Sequence, residues 1–236
     1  MEATAPSVIR TLDSALAVGS AVVIAYGVLA LDWSVFTVMA LFWFENVVVG
    51  AFNVLRMLVS GERMGITGVV AALVMAAFFT VHYGLFTAVH GVFVVALFGT
   101  AELGREAMNG SLAGPLGRLF GALVSNREGW LAMLAIVTVH AAGFVQWVIA
   151  SRERPTPLKE LMGAPYGRIV VLHVSLIAGG FLVMSLHAPV LGVLLLIALK
   201  LGYDLLALRR ALPPDSDRAA TGATTGLLAA ARRTPR

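Results

Sequence analysis

The chain has 236 residues, of which 59% are hydrophobic and only 13% are charged, with 17 Lys and Arg against 13 Asp and Glu. Soluble domains carry about 25% charged residues, so this composition excludes an ordinary soluble protein and predicts a membrane protein. The apolar runs are continuous rather than alternating, which favours helices over a barrel. The sequence has no cysteine, which excludes disulfides, thiolate metal sites and cysteine nucleophiles. The excess positive charge lies mostly outside the apolar runs and indicates membrane topology, not nucleic-acid binding.

Six apolar runs predict an all-α, polytopic fold with six transmembrane helices. The runs cover residues 15–31, 33–59, 68–98, 130–150, 169–186 and 189–208. Residues 1–212 therefore form one transmembrane domain. Residues 213–236 begin with Pro213-Pro214 and are rich in Ala, Thr and Arg, which predicts a disordered basic tail.

The connections between these runs predict the topology. Residues 99–129 carry Leu and Phe at helical spacing, which predicts a short amphipathic helix on the membrane surface. Residues 151–168 contain three prolines, and Thr156-Pro157 predicts the start of a second short surface helix. Lys and Arg concentrate on one side of the six runs, so the positive-inside rule places both termini in the cytoplasm. We expect a multi-pass protein of the bacterial inner membrane whose main partner is the lipid bilayer, and homo-oligomers are compatible with it.

Several ionisable side chains fall inside the apolar runs. Such a group costs about 2.5–3.5 kcal/mol at the bilayer centre and therefore needs a partner. With a rise of about 1.5 Å per residue, Glu45, His82 and His140 lie at comparable depth near the midplane. His90 lies about 12 Å further along the same helix as His82. The sequence therefore predicts a polar site inside the membrane.

Two imidazoles and one carboxylate are common ligands of zinc and other divalent metals. The leading hypothesis is a metal site on Glu45, His82 and His140, with His90 as a fourth ligand if its helix kinks near a glycine. Asn46 and Tyr83 would support these ligands. A bound metal could activate water, but the sequence contains no established hydrolase motif, so a reaction is not predicted.

Two alternatives use the same polar residues. In the first, a small proton-coupled transporter relays protons from this site to a second cluster nearer the cytoplasm. That cluster comprises Asn53, Arg56, His173, Lys200 and Asp204. In the second, the protein is a structural or partner-binding subunit whose polar side chains only hold helices together, at about 0.6 kcal/mol for each pair.

Three motifs resemble a known family. They are Phe44-Glu45-Asn46-Val47 followed by Phe52-Asn53, then His82-Tyr83-Gly84 with His90-Gly91, and then Pro165-Tyr166 leading to His173. These are similar to the signature of an uncharacterised family of bacterial integral membrane proteins, a domain of unknown function, over about residues 35–208. The resemblance implies that the polar positions above coincide with motif positions, which favours a site over incidental packing.

Overall fold

The computed structural model describes residue 27, residues 33–125, 127–152 and 156–167, and short stretches between 169 and 202. The described residues form helices joined by turns. The helices are α1 (Val35–Arg63), α2 (Gly65–Val94), α3 (Ala113–Ser125), α4 (Arg127–Ala150) and α5 (Leu158–Gly163). A π-helical turn, Val95–Gly99, continues α2 to Leu103. Three helices in this part of the chain are long and apolar enough to cross a membrane: Val35–Arg63, Gly65–Leu103 and Arg127–Ala150.

These three helices correspond to the second, third and fourth predicted spans, whose helical structure is confirmed. The amphipathic helix predicted within residues 99–129 is α3, and the short helix predicted after Thr156-Pro157 is α5. The first and sixth predicted spans, most of the fifth, and the tail at 213–236 lie outside the described residues or are described only at isolated positions. The six-span count and the cytoplasmic termini stay predictions.

Helices α1 and α2 form an antiparallel hairpin with a very short connection. The Ser34 hydroxyl caps the start of α1 by accepting from the backbone N–H of Thr37 at 3.0 Å. The chain reverses at Met64 and at Gly65, whose φ of 79° is in the left-handed region that favours glycine. This turn allows Gly61 of α1 to lie directly against α2.

Helices α1 and α4 run parallel and, with the residues that flank them, are joined by five contacts that follow the same order along both, which we call the α1–α4 ladder. From the start of both helices to their ends, it pairs Trp33 with Glu128, Glu45 with His140, Phe52 with Phe144, Arg56 with Trp147, and Arg63 with Ser151. Each successive contact lies further towards the C-terminal end of both helices. The ladder therefore sets the relative height of the two helices over their whole length.

Helix α1 is the centre of the described fold. In its most apolar window 61% of residues are buried, against 22% for Gly65–Leu103 and 6% for Arg127–Ala150. Its first half, from Phe36 to Phe44, packs against the end of α2 and against Leu119 and Leu123 of α3. Helix α3 is therefore packed on the core through these leucines, and the remaining helices are arranged around α1.

Candidate functional site

The structure brings Glu45 and His140 together in the middle of the α1–α4 ladder. The Nε2 atom of His140 lies 3.5 Å from a carboxylate oxygen of Glu45, and the two side chains are 23% and 12% exposed. A carboxylate and an imidazole at this distance can share a proton or form an ion pair. Their adjacency agrees with the comparable depth that the sequence predicts for these two residues.

A second pair joins α2 to the segment that follows α5. The Nε2 atom of His90, a residue only 3% exposed, lies 3.0 Å from the Nδ1 atom of His173. The other ring nitrogen of His90 lies 2.6 Å from the carbonyl oxygen of Phe86. A carbonyl only accepts hydrogen bonds, so Nδ1 of His90 carries a proton. In the neutral pair Nε2 of His90 then accepts, and His173 donates from Nδ1.

This arrangement defines what the histidine pair can do chemically. The Nε2 atom of His173 is the remaining proton acceptor, and His173 is exposed. A proton that enters there can be shared between the two rings, but it cannot continue past His90, because the next group is the Phe86 carbonyl. The pair can therefore hold a proton but does not form a continuous wire through the protein.

A third contact, between His82 and Tyr166, joins the same two parts of the chain. The Nδ1 atom of His82 lies 2.7 Å from the Tyr166 hydroxyl. The His82 ring stacks on Phe78, with centroids 5.5 Å apart, and its centroid lies 5.2 Å from that of Phe86. Burial raises the pKa of the Tyr166 phenol above its usual value of 10.0. The phenol is therefore protonated at neutral pH and available as a hydrogen-bond donor.

The spacing of these contacts gives the direction of the segment after α5. Tyr166 meets His82, and His173, seven residues later, meets His90, eight residues after His82. The segment therefore runs parallel to α2, as the third and fifth spans of the predicted topology require. The Tyr166 ring also lies edge-on against Tyr83 at 6.1 Å.

The other polar residues predicted for the site bond mainly to backbone. The Tyr83 hydroxyl donates to the Asn46 carbonyl at 3.2 Å. The Asn53 amide donates to the carbonyl of Leu161 in α5 at 2.8 Å. These bonds satisfy buried carbonyl groups and hold the helices in place. Arg56 lies over the Trp147 ring, 5.7 Å from its centroid.

The structure does not assemble the predicted three-residue metal centre. In the described residues, no group of three or more His, Cys, Asp or Glu side chains is placed to hold a metal ion. His82 bonds to Tyr166 instead of joining Glu45 and His140. Lys200 and Asp204 lie outside the described residues. Tyr166 is not among the site residues predicted from the sequence, although it lies in the Pro165-Tyr166 motif.

An apolar groove of about 340 Å³ lies between α1 and α2. Small residues form its walls, including Gly50 and Gly84, and the rings of Trp43 and Tyr83 line it. The Trp43 indole donates to the Thr87 carbonyl at 2.8 Å, so its polar atom is already satisfied. The groove therefore presents mainly hydrocarbon and aromatic surface.

The chain matches a family of unknown function, DUF6498, over residues 3–221. The match covers most of the chain, so the chain belongs to this family, and the resemblance seen in the sequence motifs is confirmed. No curated protein and no solved structure matches the chain.

Proposed function

We propose that this member of DUF6498 is a small proton-coupled membrane carrier in which His90 and His173 bind the coupling proton. The observation that carries the proposal is the 3.0 Å contact between the two imidazoles on separate parts of the chain. Ionisable groups inside membrane helices commonly belong to proton relays and transport pathways. Histidine is the side chain whose ordinary pKa allows protonation near physiological pH.

The pair converts proton binding into a change in helix contact. One added proton gives a charge-assisted hydrogen bond between the rings, which is stronger than the neutral bond. A second proton would leave two like charges at the same distance, and their repulsion would separate the rings. Since His90 belongs to α2 and His173 to the segment after α5, the number of bound protons controls whether these elements stay joined.

The Glu45–His140 pair has a different role in this proposal. It is one of five contacts in the α1–α4 ladder, and its neighbours in the ladder are aromatic, cation–π and hydrogen-bonded contacts. This setting supports a role in holding α1 and α4 together. The structural alternative raised by the sequence therefore applies best to this pair.

Histidine NMR tests the proton site directly. Protein labelled with ¹⁵N-histidine is reconstituted in nanodiscs and titrated with acid. We expect His90 and His173 to carry Nδ1 protons at high pH and to respond together as one proton is added. In His90→Gln this joint response should be lost. Independent titration of the two rings in the unsubstituted protein would refute the proton site.

Transport is tested in proteoliposomes with an imposed proton gradient. The probes are radiolabelled amino acids, sugars and inorganic ions supplied as a panel. We expect the gradient to drive accumulation of at least one solute, and His90→Gln to abolish it. His140→Gln, which alters a histidine of the α1–α4 ladder, is the matched control and should retain accumulation. Gradient-independent uptake, or equal loss in both variants, would contradict the carrier proposal.

A zinc centre is a separate proposal with its own test. Two of the three ligands predicted from the sequence, Glu45 and His140, do lie together at 3.5 Å. Element analysis of the purified protein measures zinc directly. Stoichiometric zinc that is lost in Glu45→Ala would support a metal site at this pair, whereas zinc-free protein would exclude it without affecting the carrier proposal.

A further inference from the structure

Tyr166 and His173 lie on one face of the segment after α5. The described residues of this stretch are helical, and a separation of seven residues corresponds to two helical turns. Hydrogen bonds join the two side chains to His82 and His90 of α2, at 2.7 and 3.0 Å. Along the helix axes the first two residues are about 10.5 Å apart and the two histidines of α2 about 12 Å apart. The spacings match, so a contact at one end constrains the contact at the other.

The beginning of this segment is packed against the protein, and the stretch that carries His173 is exposed. The Tyr166 ring lies edge-on against two buried aromatic rings of α2, with centroids 6.3 and 6.1 Å away. Ile169 is 5% exposed and belongs to the same buried cluster. Further along, Val170 and Val174 are 58% and 49% exposed. The position of His173 against α2 therefore depends on how the packed beginning of the segment is held.

The hydroxyl of Tyr166 fixes the height of the segment more closely than apolar packing does. Apolar contacts are non-directional, so packing alone tolerates some sliding of one helix along another. A hydrogen bond weakens steeply with distance and angle, and the 3.0 Å contact of His173 with His90 would be lost on a shift of about 1 Å. The phenol is a stronger acid than a neutral imidazole, so Tyr166 donates to Nδ1 of His82. This directional bond lies two turns from the histidine pair.

We infer that Tyr166 is a positioning residue for the proton site, and that its hydrogen bond to His82 holds His173 at the height where it meets His90. Tyr166 does not touch the shared proton and acts only through the segment that carries His173. The inference rests on the proposed function, because the two rings must act as a pair for their alignment to matter. It assigns a role to the Pro165-Tyr166 motif, which the proton site itself does not use.

The ¹⁵N–¹⁵N scalar coupling across the hydrogen bond between the two imidazoles tests this role. The full chain, labelled with ¹⁵N-histidine, is measured in nanodiscs at a pH where the pair is neutral. We expect a coupling between the His90 and His173 rings in the unsubstituted protein. Tyr166→Phe keeps the aromatic ring and removes only the hydroxyl, and we expect about fivefold less of the joined pair, as loss of one hydrogen bond predicts.

Two further variants show whether the effect belongs to this hydrogen bond. Tyr83→Phe removes a neighbouring phenol that donates to α1, so this matched control should retain the coupling. His82→Phe removes the acceptor and should weaken the coupling as much as Tyr166→Phe. The double variant should lose no more than either single variant, because both substitutions remove the same bond. If Tyr166→Phe does not fold, His82→Phe carries the test, since His82 is exposed.

The possible failures of this inference and of the carrier proposal give different results. Full coupling in Tyr166→Phe, or additive losses in the double variant, would overturn the positioning role and leave the proton site intact. Equal loss of coupling in Tyr83→Phe would show that any loosening of this aromatic cluster separates the rings, and would also overturn the positioning role. Absence of the coupling in the unsubstituted protein would instead remove the histidine pair itself, and the carrier proposal with it.

Discussion

The contact between Gly50 and Tyr83 allows a quantitative test of how α1 and α2 pack. A methyl group added at Gly50 would lie 2.6 Å from Cε1 of the Tyr83 ring and 3.0 Å from Cδ1. This ring is only 3% exposed and is stacked on Phe79 with centroids 4.7 Å apart, so it cannot swing aside freely. Overpacking of this kind costs about 1–3 kcal/mol. Gly50→Ala should therefore be destabilised by this clash.

Gly84 provides a matched control on the other wall of the same groove, because an added methyl group there meets nothing within 4 Å. Both glycines lie inside helices, so both substitutions gain about 1 kcal/mol of helix propensity, and this gain cancels in the comparison. The remaining difference of about 1–3 kcal/mol corresponds to a melting temperature roughly 2–12 °C lower for Gly50→Ala than for Gly84→Ala.

Thermal unfolding in detergent, followed by tryptophan fluorescence, measures this difference. Replacing the ring as well, in the double variant Gly50→Ala/Tyr83→Leu, should make the two substitutions less than additive. If Gly50→Ala and Gly84→Ala melt at the same temperature, the close approach of the Tyr83 ring to α1 is not present in the protein. Strict additivity in the double variant would lead to the same conclusion.

Three further tests address the polar contacts. Asn53→Ala leaves the buried carbonyl of Leu161 without its donor and should cost about 1–3 kcal/mol in thermal unfolding. Glu45→Ala should cost only about 0.6 kcal/mol, as for other polar pairs between membrane helices. A loss of the His90 NMR signature in this variant would show that the Glu45–His140 and His90–His173 pairs are coupled. The phenol of Tyr166 should ionise above pH 10, because burial raises its pKa. The contribution of Tyr166 to stability is then complete below pH 10 and is lost as the pH rises through the folded-state pKa. The difference in tyrosinate absorbance between the unsubstituted protein and Tyr166→Phe measures this ionisation.

The features that the sequence predicts best are the lengths of the membrane helices and the heights of side chains along them. The apolar runs at 33–59, 68–98 and 130–150 correspond to helices because spanning a bilayer requires about twenty apolar residues. The pairing of Glu45 with His140 is also accessible from sequence, since the rise per residue determines height along a helix. Both residues lie at similar height, and the structure places them 3.5 Å apart.

The sequence does not determine which face of each helix meets which neighbour. His82 has the right height to join Glu45, yet its ring meets Tyr166 at 2.7 Å. Periodicity assigns a side chain to one face of its own helix, but the order of helices around α1 depends on packing between distant parts of the chain. For the same reason the sequence does not identify His173 as the partner of His90, although it makes both of them candidate site residues.

The Glu45–His140 and His90–His173 pairs differ in how they respond to successive protons. A proton added to His140 places a positive charge beside the Glu45 carboxylate, so this contact of the α1–α4 ladder is strengthened. Two protonated rings at the 3.0 Å separation of His90 and His173 would repel by about 5 kcal/mol at an effective dielectric constant of about 20. That repulsion exceeds the roughly 0.6 kcal/mol of a polar contact between membrane helices. In the carrier proposal a first proton therefore strengthens both contacts, and only a second proton on the His90–His173 pair would separate α2 from the segment that carries His173, while α1 stays joined to α4.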